Sequence, residues 1–253
     1  MLIDTHTHLC DPAFDADRAA VLERAATAGV GAVVSVSETL AEVERNLELA
    51  RQFPGRIFPA AGLFPTVLDP AQAAAITDRL RRERERFVAI GEVGLDHWKV
   101  QEETERAVQR SIFAGFVALS LELDLPLNVH SRSAGRQTIE LLLERGARRV
   151  QLHAFDGRAA KAAPAVEAGY FFSIPPSIVR SPQKQKLVRR VPLENLLVET
   201  DSPVLGPDPA ARNEPANARL ALEQIAALKG LPVETVEAAI VANTRRLYGE
   251  AIC

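Results

Sequence analysis

The sequence predicts an α/β fold, specifically a (β/α)8 TIM barrel. Three observations carry this: apolar, β-rich runs alternate with longer amphipathic stretches; eight such runs can be counted; and no glycine-rich phosphate loop follows any of them. Strands that alternate with helices form right-handed βαβ units and a parallel sheet, and eight units close naturally into a barrel. The competing open, doubly wound sheet would carry G-x-G-x-x-G or G-x-x-x-x-G-K-[ST] behind a strand, and neither is present.

Taken in order, the strand candidates are residues 2–5, 31–36, 57–62, 87–92, 126–130, 149–153, 170–174 and 196–200. The intervening helices are expected at 17–28, 39–52, 70–86, 102–123, 134–145 and 157–168, several preceded by Asp, Ser or Thr as an N-cap. The seventh unit is the irregular one, because Pro175, Pro176 and Pro182 interrupt it, and its helix is expected to be small, distorted or missing. Residues 217–229 and 233–247 read as a closing helical pair. No linker or low-complexity segment divides the chain, so one domain over residues 1–253 is expected.

The 253 residues are 47% hydrophobic and 25% charged, and no apolar run approaches the roughly 20 residues of a membrane span. The start at Met1 shows no basic segment, long apolar stretch or cleavage site. Cys10 and Cys253 stand at opposite ends, so neither a disulfide framework nor a zinc-finger spacing is present, and a cytoplasmic, reducing setting is expected. A net charge of -3 excludes a broad electrostatic footprint for duplex nucleic acid, though not action on a chain end. The basic run R-L-R-R-E-R-E-R at 79–86 balances itself through Arg79/Glu83 and Arg81/Glu85 at i,i+4 spacing, as a solvated helix face does.

The chemistry sits at strand ends. Functional groups of such barrels come from the C-terminal ends of the strands, where the loops open onto the mouth. In Ile3-Asp4-Thr5-His6-Thr7-His8, the two histidines share one face while Thr5 and Thr7 take the other. The fourth run ends in Glu92, the fifth in His130, the sixth in His153, and the eighth in Glu199, Thr200 and Asp201. Either His130 or His153 alone would read as a hydrogen-bonded core histidine; four of five histidines at strand ends, with carboxylates beside them, read as a shared metal site. The candidate ligands are His6, His8, Glu92, His130, His153 and Asp201. Six groups exceed what one tetrahedral ion takes, so two divalent ions are expected, with Glu92 as the bridge. The mixed nitrogen and oxygen set suits Zn, Mn, Fe or Co, with Mg at an oxygen-rich position, and leaves the identity of the ions open.

These segments, together with A-I-G-E-V-G-L-D, L-P-L-N-V-H-S-R, L-H-A-F-D-G, L-L-V-E-T-D-S-P-V-L and R-N-E-P-A-N, resemble the TatD family of metal-dependent hydrolases among the amidohydrolase-like barrels, over almost the full length. The resemblance implies that His6, His8 and Glu92 hold one ion and Glu92, His130 and His153 the other, with Asp201 beside the metal and the attacking water. It implies a metal-dependent DNase, including 3′-to-5′ exonuclease action, with esterase or amidase-like activities among relatives. Glu92 and Asp201 are then the catalytic carboxylates, and single-stranded DNA or another phosphodiester is the expected substrate, handled by a monomer with no membrane partner.

Three residues are candidates for substrate contact. Arg132 could fork onto a phosphate oxygen or brace its loop. Phe64 departs from the family pattern: in Gly62-Leu63-Phe64-Pro65 a phenyl ring replaces the histidine of G-x-H-P. His97 either faces the mouth or is an exposed loop residue. Asp96 reads as a strand-end residue behind the ligands. Asn213 and Glu214 read as the cap of a helix that Pro215 begins, Cys10 as a small filler and Trp98 as a packed aromatic. The Phe64 departure sustains a second reading, a metal-dependent hydrolase of esters, amides or aminoacyl esters. A catalytically inactive binding barrel is the weakest reading, because binding alone needs no base beside two ions.

Overall fold

The computed structural model describes residues 1–252, so Cys253 lies outside the described residues. Eight parallel strands run in sequence order: β1 (Leu2–Thr7), β2 (Val30–Ser35), β3 (Ile57–Ala61), β4 (Ala89–Gly94), β5 (Leu127–His130), β6 (Val150–His153), β7 (Phe171–Ile174) and β8 (Leu196–Val198). Helices α1 (Arg18–Thr27), α2 (Leu40–Gln52), α3 (Pro70–Arg82), α4 (Glu103–Leu123), α5 (Gly135–Glu144), α6 (Ala163–Glu167) and α7 (Pro182–Arg190) fill the crossovers, and α8 (Ala218–Lys229) and α9 (Val233–Tyr248) close the chain. The expected (β/α)8 barrel is what forms. No helix among the described residues is long and apolar enough to cross a membrane.

Each strand from β1 to β8 pairs with the next in parallel. The seam between β8 and β1 is made differently, from loop backbone and buried side chains. Asp201 N donates to His6 O at 2.9 Å, Thr5 Oγ1 donates to Val198 O at 2.8 Å, and Thr200 N donates to the Asp4 carboxyl at 2.9 Å. Burial pushes the Asp4 carboxyl well above its ordinary range, against the bonds from Thr200 and His6 N that favour its ionised form.

Local sequence explains the helix starts. Thr39 accepts from Glu42 N at the head of α2, and Asp69 accepts from Ala71 N and Gln72 N at the head of α3, where Pro70 occupies the first turn. The seventh unit departs from expectation: α7 is a regular nine-residue helix. Ser181 caps it and Pro182 stands in its first turn, where the missing N–H costs nothing, while Pro175 and Pro176 precede it. The irregular unit is the sixth. The stretch 157–168 yields only a 3-10 turn, Ala159–Lys161, and the five-residue α6, because Pro164 cannot continue a helix begun a turn earlier. Arg79 pairs with Glu83 as expected, but Arg81 reaches across to Glu122 of α4 rather than to Glu85.

The apolar packing lies in two layers. One fills the space between the strands and the helical ring; the other plugs the barrel at the strand starts, where Ile3, Ala32, Val34, Ala89, Phe171 and Leu197 meet Leu247 and Tyr248 of α9. Above that plug the interior turns polar: Tyr248 Oη donates to Gln151 Oε1 at 2.6 Å, and Gln151 and Asn128 both donate to Thr5 O. Tyr248 thus corks the barrel and satisfies the polar layer under the mouth. Replacing Tyr248 with Phe leaves Gln151 Oε1 buried without a donor, and the unfolding free energy is expected to fall by about 1–3 kcal/mol. In a thermal melt this appears as a loss of roughly 2–4 °C per kcal/mol.

Candidate metal centre

The C-terminal rim gathers side chains from five places. His6 is the penultimate residue of β1 and His8 follows the strand, Glu92 lies in β4, His130 ends β5, His153 ends β6, and Asp201 stands in the loop after β8. His6 Nε2 and His8 Nε2 are 3.3 Å apart, as the same-face spacing implies. Glu92 Oε2 lies 3.7 Å from His6 Nε2 and 3.5 Å from His8 Nε2, and Asp201 Oδ1 lies 3.4 and 3.3 Å from the same two nitrogens. The other oxygen of Glu92, Oε1, lies 2.6 Å from His130 Nδ1 and 2.9 Å from His153 Nε2, and those nitrogens are 3.2 Å apart.

These spacings can be tested against an ion. Ligand bonds of about 2.0–2.1 Å at tetrahedral angles place donor atoms roughly 3.3–3.4 Å from one another. The group around Glu92 Oε2 has that spacing, and the group around Oε1 is drawn slightly tighter by direct hydrogen bonds. Three triads hold their donor atoms within 4.8 Å of one another: His6/His8/Glu92, Glu92/His130/His153 and His6/His153/Asp201. The charge balance agrees. Glu92 and Asp201 are buried, and among the described residues neither pairs with Lys or Arg. Burial opposes ionisation of both, yet their imidazole partners hold both carboxyls well below the usual range. Burial likewise opposes a charge on His8, but Asp201, Glu92 and Glu38 push it up to about 9. The pocket is short of positive charge, and the residues present fit divalent cations.

Behind His153 and His8 the nearest carboxylates lie beyond hydrogen-bond reach, Glu199 Oε1 at 3.8 Å from His153 Nδ1 and Glu38 Oε1 at 3.9 Å from His8 Nδ1. The other two rings are hydrogen-bonded on their outward nitrogens: Asn128 Oδ1 is 2.8 Å from His6 Nδ1, and Asp96 Oδ2 is 3.1 Å from His130 Nε2. Such partners orient a metal-binding ring and set which nitrogen faces inward. Asp96 also accepts from Trp98 N and Lys99 N, so its loop and His130 are held by one carboxylate. Asn128, Glu38 and the buried Asp4 escape the sequence reading. The clue for Asn128 was its place two residues before His130, on the same strand face.

Asn213 does not cap a helix. It is buried, and its Nδ2 donates to Thr200 O at 2.8 Å and Val204 O at 2.7 Å, tying down the loop that carries Asp201. Glu214 instead binds Arg24 at 2.6 Å. Asp201 itself has φ 55°, a left-handed conformation costly for a residue with a Cβ.

The mouth is a cavity of about 260 Å³ lined by, among others, His8, Glu38, Phe64, Arg132 and Asp201. Phe64 packs edge-on against His130, with ring centres 4.9 Å apart. Arg132 faces the cavity with its guanidinium stacked 3.7 Å over the Trp98 ring. Trp98 is therefore not a packed aromatic: it is half exposed and serves as a shelf for Arg132. His97 is absent from the lining of the mouth; its O accepts from Arg106 Nη2 of α4 at 3.2 Å, and burial with the Arg106 and Arg110 charges lowers its pKa. Cys10 is buried against Val36 O, and burial pushes its thiol up to about 12, as befits a filler.

A barrel with imidazoles and buried carboxylates convergent on an open mouth defines a metal-dependent hydrolase. The family described as TatD related DNase matches residues 3–249. The human protein named deoxyribonuclease TATDN3 is 45% identical over 258 residues, covering 98% of this chain and 94% of that one. The 3'-5' ssDNA/RNA exonuclease TatD of Erwinia tasmaniensis is 31% identical over 259 residues, covering 98% and 99%. The crystal structure of the TatD homologue YJJV from Escherichia coli superposes with a TM-score of 0.90 at 28% identity, covering 98% and 97%. The chain belongs to the TatD family of metal-dependent hydrolases.

Asp96→Asn keeps an oxygen for the two backbone donors but loses the charge behind His130. Its metal affinity is expected to drop by about 10–100-fold, read by competition with a chromophoric chelator, with an unchanged circular dichroism spectrum.

Proposed function

We propose that this protein is a two-metal deoxyribonuclease, built as one barrel domain, that removes nucleotides from the 3′ end of single strands. The observation that carries the reading is the split address of Glu92, whose two oxygens face two separate nitrogen groups: Oε2 toward His6 and His8, Oε1 toward His130 and His153. That is the arrangement of a bridging carboxylate. In this reading His6, His8 and Glu92 hold one ion, and Glu92, His130 and His153 the other. The polarity and the single-stranded substrate are supported by the printed activity of the Erwinia relative.

When bound, two divalent cations (Mg, Mn, Zn or Co) lower the pKa of water and offset charge on the attacking and leaving oxygens of a phosphodiester. The chain supplies the rest. Asp201, 3.4 and 3.3 Å from His6 and His8, accepts a hydrogen bond from the attacking water, aligns it and takes its proton. Arg132, its plane set by Trp98, meets a non-bridging phosphate oxygen with paired N–H groups. His97 is left out of the contact set, and Phe64 contributes shape and a dry wall beside His130 rather than a hydrogen bond.

A second reading rests on Phe64 alone. Without an imidazole at that position the mouth has one fewer donor for a phosphate, and a neutral carboxylic or aminoacyl ester fits a phenyl-walled site better than a phosphodiester does.

Protein with verified metal content is expected to shorten a 5′-labelled single strand one nucleotide at a time, and Asp201→Asn to lower kcat by about 10²–10⁴-fold. Intact DNA under those conditions would end the nuclease reading. Measured on one preparation, phosphodiester turnover is expected to exceed carboxylic-ester turnover and to rise in Phe64→His. The reverse ranking selects the ester reading.

A further inference from the structure

Beside the metal cluster the mouth extends into a second lobe of about 380 Å³, which shares His130, Arg132, His153, Asp201 and Val204 with the first. Its far wall is built from the loops after β5 and β6, Leu205 and the head of α7. Two features of that wall are unexplained by the chemistry above. Lys184 is only 8% exposed, yet among the described residues no carboxylate pairs with it; its Nζ has one hydrogen bond, to Ala154 O at 3.2 Å. Ser131 is 2% exposed, lines the same lobe, and its Oγ has no partner.

A buried ammonium with one bond and a buried hydroxyl with none are both short of acceptors. The acidic groups nearby are already engaged. Asp156 accepts from Ser133 N through both oxygens, at 3.2 and 2.9 Å; Glu199 accepts from Ala154 N and Ser173 Oγ; Asp201 lies against His6 and His8. Arg132 adds a second cation where the two lobes join. Glu199, Asp156 and Asp201 attract Lys184 from beyond ion-pair reach, so its ammonium keeps donors to spare, and the buried Ser131 hydroxyl beside it has no partner. Lys184 is also fixed in place, because it occupies the first turn of α7, where its N–H is bonded to the Ser181 cap, and Pro182 starts the helix.

We propose that this second lobe is a phosphate subsite: Lys184 and Ser131, with Arg132 at the junction, hold the phosphodiester next to the one being cleaved. The proposal rests on the nuclease reading and deepens it, since it assigns the grip on the strand to residues that touch no metal. It also answers the loss of a donor at Phe64: affinity for the strand comes from the neighbouring phosphate rather than from an imidazole at the scissile one. Two charged partners around one phosphate are strong, directional contacts, and removing a hydrogen bond to a charged group typically weakens binding about tenfold or more.

The test measures strand binding apart from turnover. Full-length, metal-loaded protein in an Asp201→Asn background is titrated into a fluorescein-labelled single strand, and into the same strand with one methylphosphonate, which removes the charge, at each of the first three phosphates from the 3′ end. The parent protein is expected to bind the native strand about tenfold more tightly than the strand neutralised next to the scissile position. Lys184→Met is expected to bind the native strand about tenfold more weakly and to lose that discrimination, while Lys184→Arg restores it. Ser131→Ala, which breaks no bond within the protein, is expected to reduce discrimination by about threefold. Lys184→Met and Ser131→Ala that both keep full discrimination would overturn the subsite, as would a parent protein indifferent to every methylphosphonate. Absence of strand cleavage by the wild-type protein overturns the nuclease reading instead, and leaves the binding comparison to decide the subsite.

Discussion

The site depends first on how the barrel is sealed. β1 and β8 are the two ends of the chain's sheet, and His6 in β1 and Asp201 in the loop after β8 are separated by most of the sequence. Their donor atoms lie 3.4 Å apart because the seam is clasped by Asp4, whose carboxyl receives Thr200 N, Thr200 Oγ1 and His6 N. A regular ladder would fix only the strands. The clasp fixes the two residues just above them, and in the same stroke sets the first pair of nitrogens against the last carboxylate. A buried carboxyl is costly unless its lone pairs are used, and here they are.

Above the clasp, stability and function draw on different parts of the same barrel. At the strand starts the interior is apolar and sealed by α9; at the rim it is polar and lined by buried imidazoles and carboxylates. The rim loops also hold the strained backbone. Ser133, Ala154, Asp201 and Leu205 all have φ between 42° and 55°, and each follows a strand that opens onto the mouth. Left-handed residues of this kind cost about 1–3 kcal/mol each, and persist only where surrounding structure over-determines them. At this rim the surroundings are plain to name: Asn213 holds the Asp201 loop, Ser177 N bonds Leu205 O, and Lys184 bonds Ala154 O. The strain is spent where side-chain direction matters most.

What the sequence makes legible follows from this division. Strand ends are readable because the two-residue period and the barrel rule together say where a side chain points, so His6, His8, Glu92, His130, His153 and Asp201 could be placed before any coordinate. Groups that act through partners remote in sequence could not. Asn128 looks like any strand polar residue until His6 is seen 2.8 Å away, and Asn213 sits in the pattern of a helix cap but is pulled inward by two carbonyls. Prolines misled in both directions, since their effect depends on register: Pro182 in a first turn starts a helix, whereas Pro164 cuts one short. Arg81 shows the same limit at the surface, where a carboxylate on a neighbouring helix outcompetes one a turn away.

The comparison of Phe64 with Arg132 shows how a lost donor reshapes a mouth. A phenyl edge against His130 offers no hydrogen bond, but it covers one side of that ring while Asp96 holds its outward nitrogen, so the imidazole has little freedom to turn. Arg132 is constrained in turn by Trp98, whose half-exposed ring would otherwise be an unexplained apolar surface beside a charged cleft. A guanidinium lying flat on an indole can present only its edge to the cavity, and the edge carries its N–H groups. In the proposed reading, a planar donor on a rigid shelf, with Lys184 anchored deeper in the same wall, takes the place of one point contact, and recognition shifts from the reacting centre toward the strand that leads to it.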